Sequence, residues 1–210
     1  MGWGFASMLK RKTKGENMAN FKDEFIKIYK ENIKREGAKE LLEFLEKSDF
    51  FVAPASTQFH SAYEGGLCEH SINVYKRFVS ALANERGKDW ADRFSPESMA
   101  ICGLLHDICK VDTFKADVKN KKIDGAWVQV PCYTVEDSLP YGHGEKSVYI
   151  ISGFMRLTRE EAMIINWHMG GFDSRVRGGA YGLSEAYYKF PTAVLFHTCD
   201  MLATYLDETK

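Results

Sequence analysis

His106 and Asp107 stand side by side inside the apolar run Ile101-Cys102-Gly103-Leu104-Leu105-His106-Asp107-Ile108-Cys109-Lys110. Two adjacent ionisable residues in a stretch that otherwise reads as buried helix are costly to desolvate unless something inside the protein takes up their lone pairs. A metal ion does that. Candidate partners lie far off in sequence, His70 before the pair and His143, His168 and Asp200 after it. Imidazole nitrogens and carboxylate oxygens projecting from rigid elements, with one position left open for water or substrate, are what a mono- or di-metal hydrolytic site requires. Any one of these residues alone is more often a hydrogen-bonded structural group; the set is what points to a metal.

The elements that must position this set read as helices. Apolar residues at helical spacing from Phe21 to Phe51, interrupted at Gly37, predict two helices, the second ended by Pro54. A third opens at Gly65-Gly66, runs through His70 and Leu82, and closes at Gly87. The next starts at Ser95-Pro96, with Ser as N-cap and Pro at the first helical position, and carries His106 and Asp107. Helical spacing returns over Lys146 to Met155. The capping box Thr158-Arg159-Glu160-Glu161 begins a further helix that ends at Gly170-Gly171. His143 precedes a helix, and a last helix from near Pro191 carries His197 and Asp200. Residues 170 to 182 hold five glycines and read as a loop. Asp124-Gly125 between strand-like segments predicts a small β-hairpin around residues 116–136. The expectation is a mainly α protein, with residues 1–20 a flexible extension and 21–210 one helical domain.

Composition narrows the function. The chain has 210 residues, 45% of them hydrophobic, which supports one sizeable core. With 28 Lys and Arg against 29 Asp and Glu, its net charge of -1 lacks the basic field of a general nucleic-acid binder. Five cysteines, never spaced C-x-x-C, argue against a disulfide framework and a zinc knuckle and fit a reducing cytoplasm. No run approaches the roughly 18 apolar residues of a membrane span.

Five segments in order resemble the successive motifs of HD-domain phosphohydrolases: Gly65-Gly66-Leu67-Cys68-Glu69-His70-Ser71, Leu104-Leu105-His106-Asp107-Ile108-Cys109-Lys110, Gly142-His143-Gly144-Glu145, Trp167-His168-Met169-Gly170-Gly171 and Phe196-His197-Thr198-Cys199-Asp200. The likeness spans about residues 58–206 and is greatest to the HD domain of YhaM-type 3'-5' exoribonucleases, with some similarity to HD-GYP phosphodiesterases. It implies a helical bundle around a metal site. By position, His70, His106, Asp107 and Asp200 match the basic metal site of the family. His143 and His168 match the added ligands of two-metal members, in which the aspartate matching Asp107 bridges the ions. Met169 stands where two-metal relatives often carry another histidine, and Cys109 replaces a usual glycine.

The implied cofactor is one or two divalent ions, among manganese, iron, nickel, magnesium and zinc. Such ions lower the pKa of a bound water to give hydroxide near neutral pH, and they neutralise charge on a phosphoryl oxygen. Asp107 and Lys110 are the catalytic candidates, Lys110 as the cation opposite the developing charge. Lys110, Tyr141, Lys146, Arg175 and Arg177 are the substrate-binding candidates, the two arginines as a phosphate clamp in a mobile loop. His60 and His197 are read as supporting groups that orient a ligand or a water. The expected substrate is a small phosphorylated one, a nucleotide, with short RNA and YhaM-like phosphodiester cleavage as the alternative. A third possibility is a di-iron HD-fold oxygenase, because histidine and carboxylate ligands suit iron equally.

Overall fold

The structure is a computed structural model in which residues 14–86 and 94–208 are described. The expected extension up to residue 13 and the expected stop at Gly87 lie outside the described residues. The chain is mainly helical, with nine α-helices and one two-stranded sheet among the described residues. Helix α1 is Lys14–Asn32, so it takes in the last part of the segment read as an extension, and α2 is Ala38–Lys47. Gly37, at φ 85°, sits between them in the left-handed conformation that glycine adopts without steric cost.

Helix α3 (Gly66–Arg86) and helix α4 (Pro96–Leu105) form the centre of the molecule. Beyond its first turn α4 is buried on every side, as its apolar composition requires. Its start is as the sequence indicates, with the Ser95 hydroxyl accepting from the Ser98 N–H. Gly103 lets α4 approach α3 closely, since a Cβ there would lie 2.7 Å from the Tyr75 backbone. The approach matters because α3 carries His70 and α4 leads into His106. Phe25, Leu41, Phe50, Phe78, Leu104 and Phe196 fill the core around this pair.

After α4 comes a 3-10 turn, Ile108–Lys110, and then the hairpin of β1 (Phe114–Ile123) and β2 (Ala126–Val135). The strands pair antiparallel from Phe114 opposite Val135 to Ile123 opposite Ala126. Asp124 and Gly125 both have positive φ, 49° and 87°, which is the type I′ turn that Asp-Gly favours. The ribbon lies where the sequence places it, within two residues at either end, and its distal half is exposed on both faces. Its base is closed by the Glu136 N–H donating to the Thr113 carbonyl.

Helices α5 (His143–Ser152) and α6 (Arg159–Asn166) follow. The capping box at Thr158 and Glu161 forms in full. The glycine-rich segment is less irregular than expected: it contains a 3-10 turn, Gly170–Phe172, and the short α7 (Ser174–Arg177). Helix α8 (Gly182–Lys189), which the glycine count obscured, precedes α9 (Thr192–Leu202) and a π-helical turn, Ala203–Asp207.

One buried polar knot joins three parts of the bundle. Arg35 donates to both Glu161 oxygens at 2.8 Å and to Glu97 at 3.2 Å, and the Ser98 hydroxyl donates to Glu161 at 2.7 Å. It fixes the α1–α2 connection against the first turns of α4 and α6. Glu161 therefore does more than cap α6.

Candidate metal centre

The expectation of one continuous helix through His106 and Asp107 does not hold. Helix α4 stops at Leu105, His106 is its C-cap, and Asp107, at φ -104° and ψ 16°, leaves the helix to begin the 3-10 turn. The break has a consequence for chemistry. Adjacent residues on a regular helix point roughly 100° apart, whereas here the His106 ring and the Asp107 carboxylate meet, with Nε2 3.6 Å from Oδ2. His168 is likewise outside a helix, one residue beyond the Trp167 C-cap of α6.

Both histidines use the same local device. The His106 Nδ1–H donates to the Gly103 carbonyl at 3.0 Å, and the His168 Nδ1–H donates to the Ile165 carbonyl at 2.7 Å. Each satisfies a carbonyl left open at a helix C-terminus, three residues back. A carbonyl only accepts, so Nδ1 carries the proton, and in the neutral ring Nε2 is a bare lone pair. His70, on α3, is fixed the same way by a carboxylate: Nδ1 lies 2.9 Å from Glu208 Oε1.

The three Nε2 atoms face one another. His70 Nε2 is 3.3 Å from His106 Nε2, 3.5 Å from Asp107 Oδ2 and 3.3 Å from Asp200 Oδ1. His168 Nε2 lies 3.3 Å from Asp107 Oδ1, is buried, and has no hydrogen-bond partner among the described residues. His143, first residue of α5, brings Nε2 to 2.8 Å from Asp107 Oδ1. Ligands around an ion at metal–ligand distances of roughly 2.1 Å sit roughly 3.0–3.5 Å from one another; the His70, His106, His168 and Asp200 spacings of 3.3 to 3.6 Å lie in or just above that range, and the 2.8 Å between His143 and Asp107 just below it. Two triads can therefore hold a metal, the buried His70 with His106 and Asp107, and Asp107 with the half-buried His143 and with His168; Asp200 joins His106 and His168 in a third. Asp107 turns Oδ2 to the first set and Oδ1 to the second.

The electrostatics follow from burial against charge. Burial opposes ionisation of Asp107, but Lys110, His106, His143 and His168 outweigh it and hold the carboxyl well below the ordinary range. Burial likewise opposes protonation of His70, yet Asp200 and Glu208 raise it to about 10. Burial pushes His106 down to about 3. Burial also opposes protonation of His143, yet Cys109 and Asp107 raise it to about 10.

The other candidates divide. Lys110 lies in the 3-10 turn, where positions three apart eclipse, and its Nζ is 2.6 Å from Asp107 Oδ2. Lys110, Arg177, His60 and His197 line a cavity of about 810 Å³ together with His70, Asp107, His143 and Asp200. The His60 ring centre is 4.9 Å from that of His70. The His197 Nδ1–H donates to the His168 carbonyl at 2.6 Å, and its ring packs against Gly170. It braces the segment that carries His168.

Tyr141, Lys146 and Arg175 are not among the residues lining that cavity. Tyr141 is exposed and stacks on Tyr149. Lys146 is buried and binds Asp137 at 2.6 Å and the Thr113 hydroxyl at 3.1 Å, tying α5 to the base of the hairpin. Arg175 stacks over Trp167 and binds Asp173, Asn166 and Glu145, so its guanidinium is saturated by protein partners. Clamping phosphate would require it to leave all of them.

Glu208 is the functional residue that the sequence did not disclose. It follows the π-helical turn, which the Arg77–Asp207 pair anchors to α3, and its fully buried carboxylate also receives Ser61 and Asn73. A glutamate next to Asp207 carries no signal of burial in the sequence.

Among the described residues no helix is long and apolar enough to cross a membrane. Compared with protein-family models, curated proteins and solved structures, the chain matches none.

Proposed function

We propose that this chain is a metal-dependent phosphohydrolase of the HD type, cleaving a phosphate ester of a nucleotide-type substrate. The observation that carries the reading is the convergence of the His70, His106 and His168 Nε2 lone pairs on the Asp107 carboxylate at the wall of an open cavity. His70, His106, Asp107 and Asp200 fit one divalent ion, and Asp107, His143 and His168 fit a second. Ions held there supply an acidified water as nucleophile and neutralise charge on the phosphoryl group.

The chain's own residues set the rest. Glu208 fixes the His70 ring with Nε2 inward, as partners behind metal-binding histidines do. Lys110 keeps a positive charge beside Asp107 and in the cavity wall, where charge builds on phosphoryl oxygens during transfer. The near-zero net charge favours a small substrate over a long polyanion tracked by a basic surface. Histidine and carboxylate ligands also accommodate iron, so the test has two arms. Metal content per chain and phosphate release from a nucleotide panel are measured together with the absorption spectrum of aerobically purified protein. Metal-dependent phosphate release that Asp107→Ala abolishes supports the reading. A di-iron spectrum with no phosphate release from any substrate overturns it.

A further inference from the structure

Past the metal cluster, the cavity changes character. Its remaining walls are mostly apolar, with Phe59, Phe114, Val135, Met169 and Phe172 outweighing the hydroxyls of Thr57 and Thr204, and its fixed cations are Lys110 and Arg177. Lys110 is already engaged by Asp107 at 2.6 Å. Arg177 is exposed, 5.9 Å from the centre of the Phe172 ring, and makes no ion pair among the described residues. Among the described residues Arg177, its side chain held only by this contact with Phe172, is therefore the one guanidinium that lines the region outside the ligand cluster.

This distribution bears on how many phosphates the site accepts. A phosphoryl group seated on the ions has its charge compensated there, but a second and third phosphate would extend against phenylalanine, valine and methionine. Burying an ionised oxygen against such a wall without partners is strongly unfavourable. An aromatic base, by contrast, suits it: Phe59 and Phe172 both line the cavity and are 78% and 46% exposed overall, Phe172 with Arg177 over its ring, so aromatic surface is available there for stacking.

We infer that the substrate is a nucleoside monophosphate, with its single phosphoryl group on the ions and Arg177 and its base against the aromatic wall of Phe59 and Phe172. This rests on the phosphohydrolase reading and narrows it. The reaction is ester hydrolysis: the P–O bond to the nucleoside breaks and the oxygen of water forms the new P–O bond. Its protons are shared between the released hydroxyl and the phosphate, so the products are a nucleoside and inorganic phosphate, with no further reactant.

The test uses the full chain loaded with Mn²⁺ and a panel of nucleoside mono-, di- and triphosphates and cyclic dinucleotides over the common bases. Binding is read separately by calorimetry with the nucleoside phosphonate in which a P–C bond replaces the scissile ester, so that affinity is measured without turnover. The expected result is kcat/KM at least about 10-fold higher for monophosphates, which is 1.4 kcal/mol. Arg177→Ala should weaken phosphonate binding by a similar factor and raise KM more than it lowers kcat, and Arg177→Lys should recover part of the loss. Phe59→Ala should weaken phosphonate binding while leaving inorganic phosphate binding unchanged. Turnover confined to triphosphates or diesters would overturn the monophosphate assignment and leave the phosphohydrolase reading standing. No turnover and no phosphonate binding across the panel would overturn both.

Discussion

The Nε2 atoms of His70 and His106 lie 3.3 Å apart, each on a ring whose Nδ1 is already held by Glu208 or by the Gly103 carbonyl. Two imidazole lone pairs cannot face each other at that distance unless a cation stands between them. The cation is a proton or a metal, and the carboxylates of Asp107 and Asp200 beside it favour the higher charge.

Glu208 determines whether His70 is ready to bind. Glu208→Ala frees the ring to rotate and leaves Ser61 and Asn73 without their acceptor. Metal affinity, read by titration against a competing chelator, should fall about 10- to 100-fold, the range typical for partners behind a metal-bound histidine. Glu208→Gln should lose less. Unchanged affinity in both variants would show that the Glu208–His70 contact does not set the site.

Asp107 and Lys110 should separate metal from rate. Asp107→Ala removes the carboxylate common to both ligand sets and should lose metal and activity together. Lys110→Ala removes a cation that is not a ligand and should retain metal by elemental analysis, while its rate drops about 100-fold, the scale of losing one charge-stabilising donor. Loss of metal in Lys110→Ala would mean that the lysine acts by holding Asp107 in place.

Gly170 couples His197 to His168. Its φ of +52° is disfavoured for alanine, and an added Cβ would lie 2.5 Å from His197 Nε2. Gly170→Ala should cost about 1–2 kcal/mol from the backbone alone and displace His197 from the His168 carbonyl. A lowered Tm together with weaker metal binding is expected; a lowered Tm alone would show that the brace does not reach the ligand.

Acid stability should report on the Arg35–Glu161 knot. Burial raises the Glu161 pKa, but Arg35, Ser98 and the Thr158 N–H outweigh it, leaving the group below its ordinary value of 4.5. The unfolded chain thus binds the proton more readily than the folded one. The contribution is complete above pH 4.5 and lost as pH falls through the lower folded value. Arg35→Met strands a buried carboxylate and should cost about 3 kcal/mol at neutral pH by denaturant unfolding. Glu161→Gln should flatten the acid limb of the stability curve, and an unaltered limb would remove the knot from the account.

How much of this was legible in the sequence depends on whether the signal was local. Ser95-Pro96, the Thr158–Glu161 box and Asp124-Gly125 are each defined by residues within a few positions, and each forms as expected. The His106–Asp107 pair stood out because two ionisable groups interrupt an apolar run. Its helix break did not, since no glycine or proline marks it; the His106 side chain taking the Gly103 carbonyl is a feature of the folded turn. Arg175 and Arg177 look alike in a glycine-rich stretch, but in the folded chain Asp173, Asn166 and Glu145 surround the first, and the second faces the cavity. Glu208 reaches His70 across 138 positions, a distance over which spacing carries no information.

Anomalous diffraction from crystals of the chain grown with Mn²⁺ addresses the metal centre most directly. The expected result is a peak among His70 Nε2, His106 Nε2, Asp107 Oδ2 and Asp200, at roughly 2.0–2.3 Å from each ligand, that is lost in His106→Ala. A map with no anomalous density between these four residues, in protein that turns over substrate, would contradict the account.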